Sequence, residues 1–282
     1  MKIRNTLMCG ALAAIVMLTG CGQKYEVKSE KPAEIENFDG NVKDVTPKSG
    51  DLIATFEIED YGTIKAVLFP QAAPVGVENF QKLCDEGFYK GLKIHRVIDN
   101  FMFQGGSTNG NGTGGDAAVN GGKFGIETAQ NARHFYGALC YANASGQNTT
   151  QFYIVNNKQT QDISLFDIES NQRSINDALE DLNKNAKNAS ETAINAYLQQ
   201  IQYAQHTVDF MKNATDEIKD RYKENGGTPS LDGNYTVFGQ VYEGFDVIDK
   251  LSGAEVTDNG AGEKSKPVKD IIIKDITVST FD

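Results

Sequence analysis

Positive charge is in short supply. Lys and Arg number 27 against 38 Asp and Glu, a formal net charge of −11. Binding of nucleic acid through bulk electrostatics needs clustered cations, so that class of function is excluded. Cysteine is scarce: the four residues form no CxxC spacing and no Cys/His cluster, and His95, His134 and His206 are scattered. No metal site is expected. Proline is rare too, six residues against 28 glycines, which favours a turn-rich β protein over a helical bundle. Tryptophan is absent. The apolar run Leu7 to Leu18 is about a dozen residues, too short for a comfortable membrane span of about twenty. What remains, 39% hydrophobic and 23% charged, is ordinary globular composition.

That short run follows Lys2 and Arg4 and ends in Leu18-Thr19-Gly20-Cys21. A positive start and a brief apolar core are the features of a secretory signal. The ending resembles a bacterial lipobox, in which the peptide is cut before the Cys and lipid is joined to its sulfur. Residues 1–20 therefore read as a lipoprotein signal peptide and Cys21 as the lipidation site. This implies an extracytoplasmic protein anchored to the cell membrane, stably so because each buried methylene adds about 0.8 kcal/mol. Residues 21–49 are polar and aperiodic, with Pro32 and Pro47, and read as a flexible tether. Cys84 and Cys140 sit in apolar stretches and read as buried thiols.

A domain begins at residue 50 and runs to 282. LIATFEIE and TIKAVLF alternate around Asp60-Tyr61-Gly62 and form a hairpin. Val77, Phe80, Leu83 and Cys84 then share one face of a helix. Short strands follow, broken by Gly and Asn: KIHRVI, FMFQGG, GALCYA, QFYIV, YTVFGQVY and DIIIKDITVS. A second helix lies in EGFDVIDKLSG, with Gly253 to end it. Many short strands and two helices predict a mainly β domain, a closed antiparallel barrel with a helix over each open end. Residues 157–227 break this pattern. Ser174 can cap a helix carrying Ile175, Leu179 and Leu182. Ser190 opens a longer helix, and a third with Ile218 and Tyr222 ends at Gly226-Gly227. This is read as a helical insertion packed as a hairpin on the barrel.

The stretch KIHRVIDNFMFQGG, residues 93–106, poses the functional question. Burying the lone Arg96 in a packed core would cost several kcal/mol. A solvated strand, in turn, has no use for Phe101, Met102 and Phe103 in a row. The combination suits a wall that is half core and half binding surface. With NGTGG, GALCYANA, QFYIV and LDGNYTVFGQV in order, it resembles the cyclophilins, the barrel-shaped peptidyl-prolyl cis–trans isomerases. The resemblance covers about residues 50–156 and 228–280, and five ordered blocks are specific where a lone NGTGG is not.

The resemblance implies an eight-stranded barrel, prolyl isomerase activity and no cofactor. It implies Arg96 as the donor to the prolyl nitrogen, and a proline pocket of Phe101, Met102, Tyr153 and Leu231. Gln104 would hold Arg96 and touch the substrate carbonyl. Ala142 and Asn143 would present backbone groups to the residue before proline, and Gln151 would line the adjoining groove. Tyr235 stands where many members have His, Tyr153 where Phe is usual, and Ser230 where Trp is common. Ser230 opens one pocket wall, so weak binding of the family's cyclic peptide drug is expected, with activity better kept. His95 points away from Arg96 and reads as structural. The expected partners are proline-containing segments of unfolded or secreted proteins, and the expected state is a monomer. A peptide-holding module without turnover is the alternative. The insertion enters just before Leu231, where it is expected to gate or widen the groove.

Overall fold

The computed structural model describes residues 24–282; residues 1–20, expected to be a signal peptide, and Cys21, the expected lipidation site, lie outside the described residues. The hairpin of the sequence reading is present as β1 (Leu52–Ile58) and β2 (Gly62–Leu68). Helix α1 (Pro74–Asp85) follows, with Pro74 in its first turn, where the missing N–H is no loss. The strands β3 (Lys93–Ile94), β4 (Arg96–Ile98), β5 (Met102–Gly105), β6 (Phe124–Gly125), β7 (Ala138–Ala144) and β8 (Gln147–Val155) come next. After the insertion come β9 (Val237–Glu243), helix α5 (Phe245–Ser252), a small hairpin of β10 (Val256–Asp258) and β11 (Lys264–Pro267), and β12 (Ile271–Thr280).

The large sheet is antiparallel in the order β3-β12-β1-β2-β9-β7-β8-β5-β4, with β6 added on β8. This corrects the expected closed eight-stranded barrel. The ladders form an open path of nine strands, with β6 as a tenth beside it. Its two ends, β3 and β4, belong to one run of chain interrupted at His95, so no ladder joins them. Period-two alternation gives each strand an inner and an outer side chain set. The inner set (Phe56, Ile64, Phe103, Phe152, Ile154, Phe238 and Ile273 among others) packs with Val77, Phe80 and Leu83 of α1 and Val247, Ile248 and Leu251 of α5. The outer set builds a second apolar cluster around Met102, Cys140, Tyr153, Val155 and Val237. Cys84 and Cys140 stand as buried free thiols.

The insertion contains α2 (Ile168–Asn185), α3 (Glu191–Lys212) and α4 (Asp216–Asn225). Ser190 caps α3 as expected, accepting from Ala193 N. The first helix starts earlier than the sequence suggested. Asp167 is its cap, accepting from Ser170 N at 2.8 Å, and Ser174 lies inside the helix, donating to Ser170 O. Either residue is a good cap; the additional two turns are kept because Ile168 joins Phe166 on the apolar cluster between α2 and α3. The chain leaves α4 through Gly226 and Gly227. Gly227 has φ +133°, and a Cβ there would lie 2.4 Å from His134 O.

The segment expected to be a flexible tether is laid against the body from Lys24 onward. Asn183 holds Tyr25 by both backbone groups (N–H to Oδ1 2.6 Å; Nδ2 to O 3.0 Å), and Gln202 holds Lys28 in the same way. Asp209 accepts from Ser29 Oγ and Glu30 N. Farther on, Asn41 is fully buried and clamps Arg133, accepting from its N–H and donating to its carbonyl. Paired backbone groups offset the ordering cost that low hydrophobicity alone would not meet. Among the described residues, no helix is long and apolar enough to cross a membrane.

Candidate active site

Alternation sorts residues 96–104 into two faces. Val97 and Phe103 enter the inner cluster and are almost fully buried, while Arg96, Ile98, Met102 and Gln104 occupy the outer face. Phe101 sits in the turn between β4 and β5 and packs on the outer cluster; its N–H donates to Asn156 Oδ1 at 2.7 Å. The apparent waste of three large apolar residues is thus a division of labour between two cores and a rim.

The outer face is an apolar patch. Its floor is Met102 and Tyr153, 2% and 4% exposed. Phe101, Ala142, Leu231 and Tyr235 are partly exposed around it. Tyr235 meets Tyr153 edge to face with centroids 6.0 Å apart. Ser230 is exposed beside Leu231. A separate hollow of about 440 Å³ lies beyond the Asp99–Asn100 turn and has a polar lining that includes Asn156, Lys158 and Asp249.

Arg96 stands at the edge of this patch with one guanidinium corner toward it. Nη1 lies 3.9 Å from Met102 Sδ, and the guanidinium carbon is 5.9 Å from the centre of the Phe101 ring. The other edge is taken by Glu263: Nε and Nη2 donate to Oε1 and Oε2, each at 2.7 Å. The Arg96 guanidinium holds the Glu263 carboxyl down at about 2, well below the usual carboxylate range. Glu263 was missed in the sequence. It sits at the tip of β10–β11, a hairpin whose signal, Asn259-Gly260 between VTD and KSKP, was present and not used.

The other expected site residues divide. Gln104 lies opposite Arg96 in the β4–β5 register but does not hold it. Its Nε2 donates to Gln151 Oε1 at 2.9 Å, and Gln151 Nε2 donates to Gly112 O, so the two amides form a chain to the Gly-rich loop. The reason is competition: a bidentate carboxylate outbids a neutral amide for a guanidinium. Ala142 sits where the β7–β8 ladder breaks between Tyr141 and Asn143, leaving backbone out of register beside the patch. The Asn143 side chain serves the framework, donating to Asn234 O and accepting from Gly146 N. His95, its ring beside Gly112 of the Gly-rich loop, has two buried ring nitrogens without hydrogen-bond partners; burial, aided by Arg96, lowers it to about 4.

Behind Leu231 lies a buried polar knot. Asp232 accepts from Arg133 Nη1 (3.0 Å), Tyr222 Oη (2.8 Å), His134 N (3.0 Å) and the His134 ring at Nδ1 (2.8 Å). Burial pushes its carboxyl up, but Arg133 and His134 outweigh this and hold it below the usual range. Tyr222 belongs to α4, so the insertion is bonded to the loop that carries Leu231. Asn234 adds a second link, donating to Tyr203 O and Thr207 Oγ1 of α3.

The sequence model of the family described as "Cyclophilin type peptidyl-prolyl cis-trans isomerase/CLD" matches residues 53–278. The chain belongs to the cyclophilin-type peptidyl-prolyl cis–trans isomerases. Among its relatives is a Staphylococcus aureus (strain USA300) protein with a provisional peptidyl-prolyl cis–trans isomerase name, 34% identical over 219 residues, covering 77% of this chain and 87% of that one. A Staphylococcus haemolyticus protein of the same provisional name is 33% identical, covering 77% and 86%. The crystal structure of a Cryptosporidium parvum cyclophilin-type isomerase shares the fold at a TM-score of 0.53 and 21% identity, covering 82% of this chain and 99% of that one. The protein is therefore an enzyme of this class. Among the described residues, no group of three or more His, Cys, Asp or Glu is placed to hold a metal.

Proposed function

We propose that the protein is a lipid-anchored, extracytoplasmic prolyl isomerase that speeds the folding of secreted or surface proteins, with Arg96 as its catalytic donor. Uncatalysed Xaa–Pro rotation takes tens to hundreds of seconds, because amide resonance sets a barrier of about 18–20 kcal/mol. No bond is made or cut, so the enzyme needs only to favour the twisted state. In that state the prolyl nitrogen becomes pyramidal and regains a lone pair. A donor fixed in place for that lone pair binds the transition state better than the planar ground state.

The observation that carries this reading is the Nη1 corner of Arg96, which Glu263 leaves untaken and which meets only the weak acceptor Met102 Sδ beside the Phe101 ring. A proline ring on the Met102–Tyr153 floor, between Phe101, Leu231 and Tyr235, would bring its nitrogen toward that corner. The unladdered backbone at Ala142 is available to the residue before proline. One charged hydrogen bond contributes about 1.5–3 kcal/mol, or one to two orders of magnitude in rate; holding the ring still supplies more.

The test is isomerisation of short Xaa–Pro peptides. Arg96→Ala should lower kcat/KM by about 10- to 100-fold with unchanged melting temperature. Equal rates for wild type and variant would remove Arg96 from the mechanism. Binding of proline peptides with no rate above buffer would favour the peptide-holding alternative. The lipid anchor is tested separately: Cys21→Ala should release the protein from membranes.

A further inference from the structure

The Glu263–Arg96 pair is more than a surface ion pair by its geometry. Both carboxylate oxygens meet the Nε–Nη2 edge of the guanidinium at 2.7 Å, the fork-to-fork match that fixes a guanidinium's orientation as well as its position. The backbone that carries this carboxylate is itself held. Asn259 N–H donates to Glu263 O at 2.9 Å, while Asn259 Oδ1 accepts from Glu263 N and Ala261 N. Asp258 Oδ1 accepts from Gly260 N, and β11 lies against β4. The β10–β11 hairpin is therefore a short, internally braced arm that carries one carboxylate to one guanidinium.

Which edge is gripped decides what the grip does. A carboxylate on the Nη1 corner would block the patch. Glu263 takes the opposite edge and leaves Nη1 beside Met102 Sδ and toward the Phe101 ring. Gln104, one strand away, is engaged with Gln151 and leaves the task undone. We propose that Glu263 is a positioning residue for Arg96: it aims the Nη1 donors at the prolyl nitrogen, and the β10–β11 hairpin is part of the active site. This rests on the reading of Arg96 as the catalytic donor. Without the carboxylate, the flexible arginine stem samples several rotamers, and misplacing a donor by an ångström lowers rates by up to about 100-fold.

The experiment compares Glu263→Gln, Glu263→Ala, Glu263→Asp, Arg96→Ala and the Arg96→Ala/Glu263→Ala double variant in the peptide assay, with kcat and KM separated. Glu263→Gln and Glu263→Ala should lose about 5- to 20-fold in kcat with KM within about two-fold, since ring binding does not use the carboxylate. Glu263→Asp should recover part of the loss. The double variant should be no slower than Arg96→Ala, because Glu263 acts only through Arg96. The Arg96 Nε–H NMR signal should shift and exchange faster in Glu263→Gln, a readout that general loosening of a hairpin tip would not single out. Full kcat, or a higher one, in both Glu263→Gln and Glu263→Ala would overturn the proposal while Arg96→Ala stayed inactive. Undiminished activity in Arg96→Ala would instead overturn the catalytic role of Arg96. Additive losses in the double variant would also refute action through Arg96.

Discussion

His95 sits one residue before Arg96 and titrates in a way that Arg96 does not. Its ring is buried without hydrogen-bond partners and is lowered to about 4 from an ordinary 6.5. The unfolded chain therefore binds the proton first. Stability is full above pH 6.5 and is lost as pH falls from there toward 4, by about 3 kcal/mol. A melting series from pH 7.5 to 4 should show that decline, and His95→Gln should flatten it. Activity should behave differently. Arg96 stays charged throughout, and Glu263 stays ionised down to about 2, so kcat/KM should be level from mildly acidic to mildly basic pH. A bell-shaped profile would point to another group. Tyr153 offers a second test at this scale. Its hydroxyl is buried with no hydrogen-bond partner, and such a group costs about 1–3 kcal/mol. Tyr153→Phe should raise the melting temperature while keeping turnover.

Among the elements, the loop Leu231-Asp232-Gly233 is where framework and site meet. Asp232 satisfies Arg133, which is fully buried, and receives Tyr222 from the insertion. Asp232→Asn would leave a buried cation without its partner and should cost about 3–5 kcal/mol, read by chemical denaturation. Tyr222→Phe should cost less, about 1.5–3 kcal/mol, while loosening Leu231. If insertion and loop are coupled in this way, replacing residues 160–225 by a short linker should change peptide preference; unchanged preference and folding would sink the gating role. These links also mark what could be read from sequence. Strands with alternation, and helices with an apolar stripe such as α1, were legible because burial imposes a period. Arg96 and its apolar neighbours were legible because their combination fits neither a core nor a solvated strand. The partner of Arg96 was not, because it lies 167 residues away on a short polar hairpin whose side chains carry no period. Ser174 misled because a serine near a helix start is a cap only if the preceding turn is not helical, and here tertiary contacts at Ile168 made it so.

At the scale of the whole molecule, the sheet winds from β3 to β4 and comes back to the same run of chain, so Lys93–Ile98 serves both ends of the path. Mutations that disturb this run should affect folding and catalysis together, whereas the N-terminal segment should affect folding alone. Asn41→Ala removes a buried amide that holds Arg133 by both backbone groups; a loss of about 2–4 kcal/mol is expected, with kcat/KM of the folded fraction unchanged. The segment around Asn41 was read as loose because its composition is that of unstructured chain. Composition reports on side chains, and the clamps at Tyr25, Lys28 and Glu30 engage the backbone instead. A grip of that kind is blind to identity. Lys28 and Glu30, both exposed, are thus free to drift in charge, size and polarity while their backbone stays in place; proline, which has no N–H to offer, is barred from Tyr25, Lys28 and Glu30, and both prolines of the segment, Pro32 and Pro47, fall outside them.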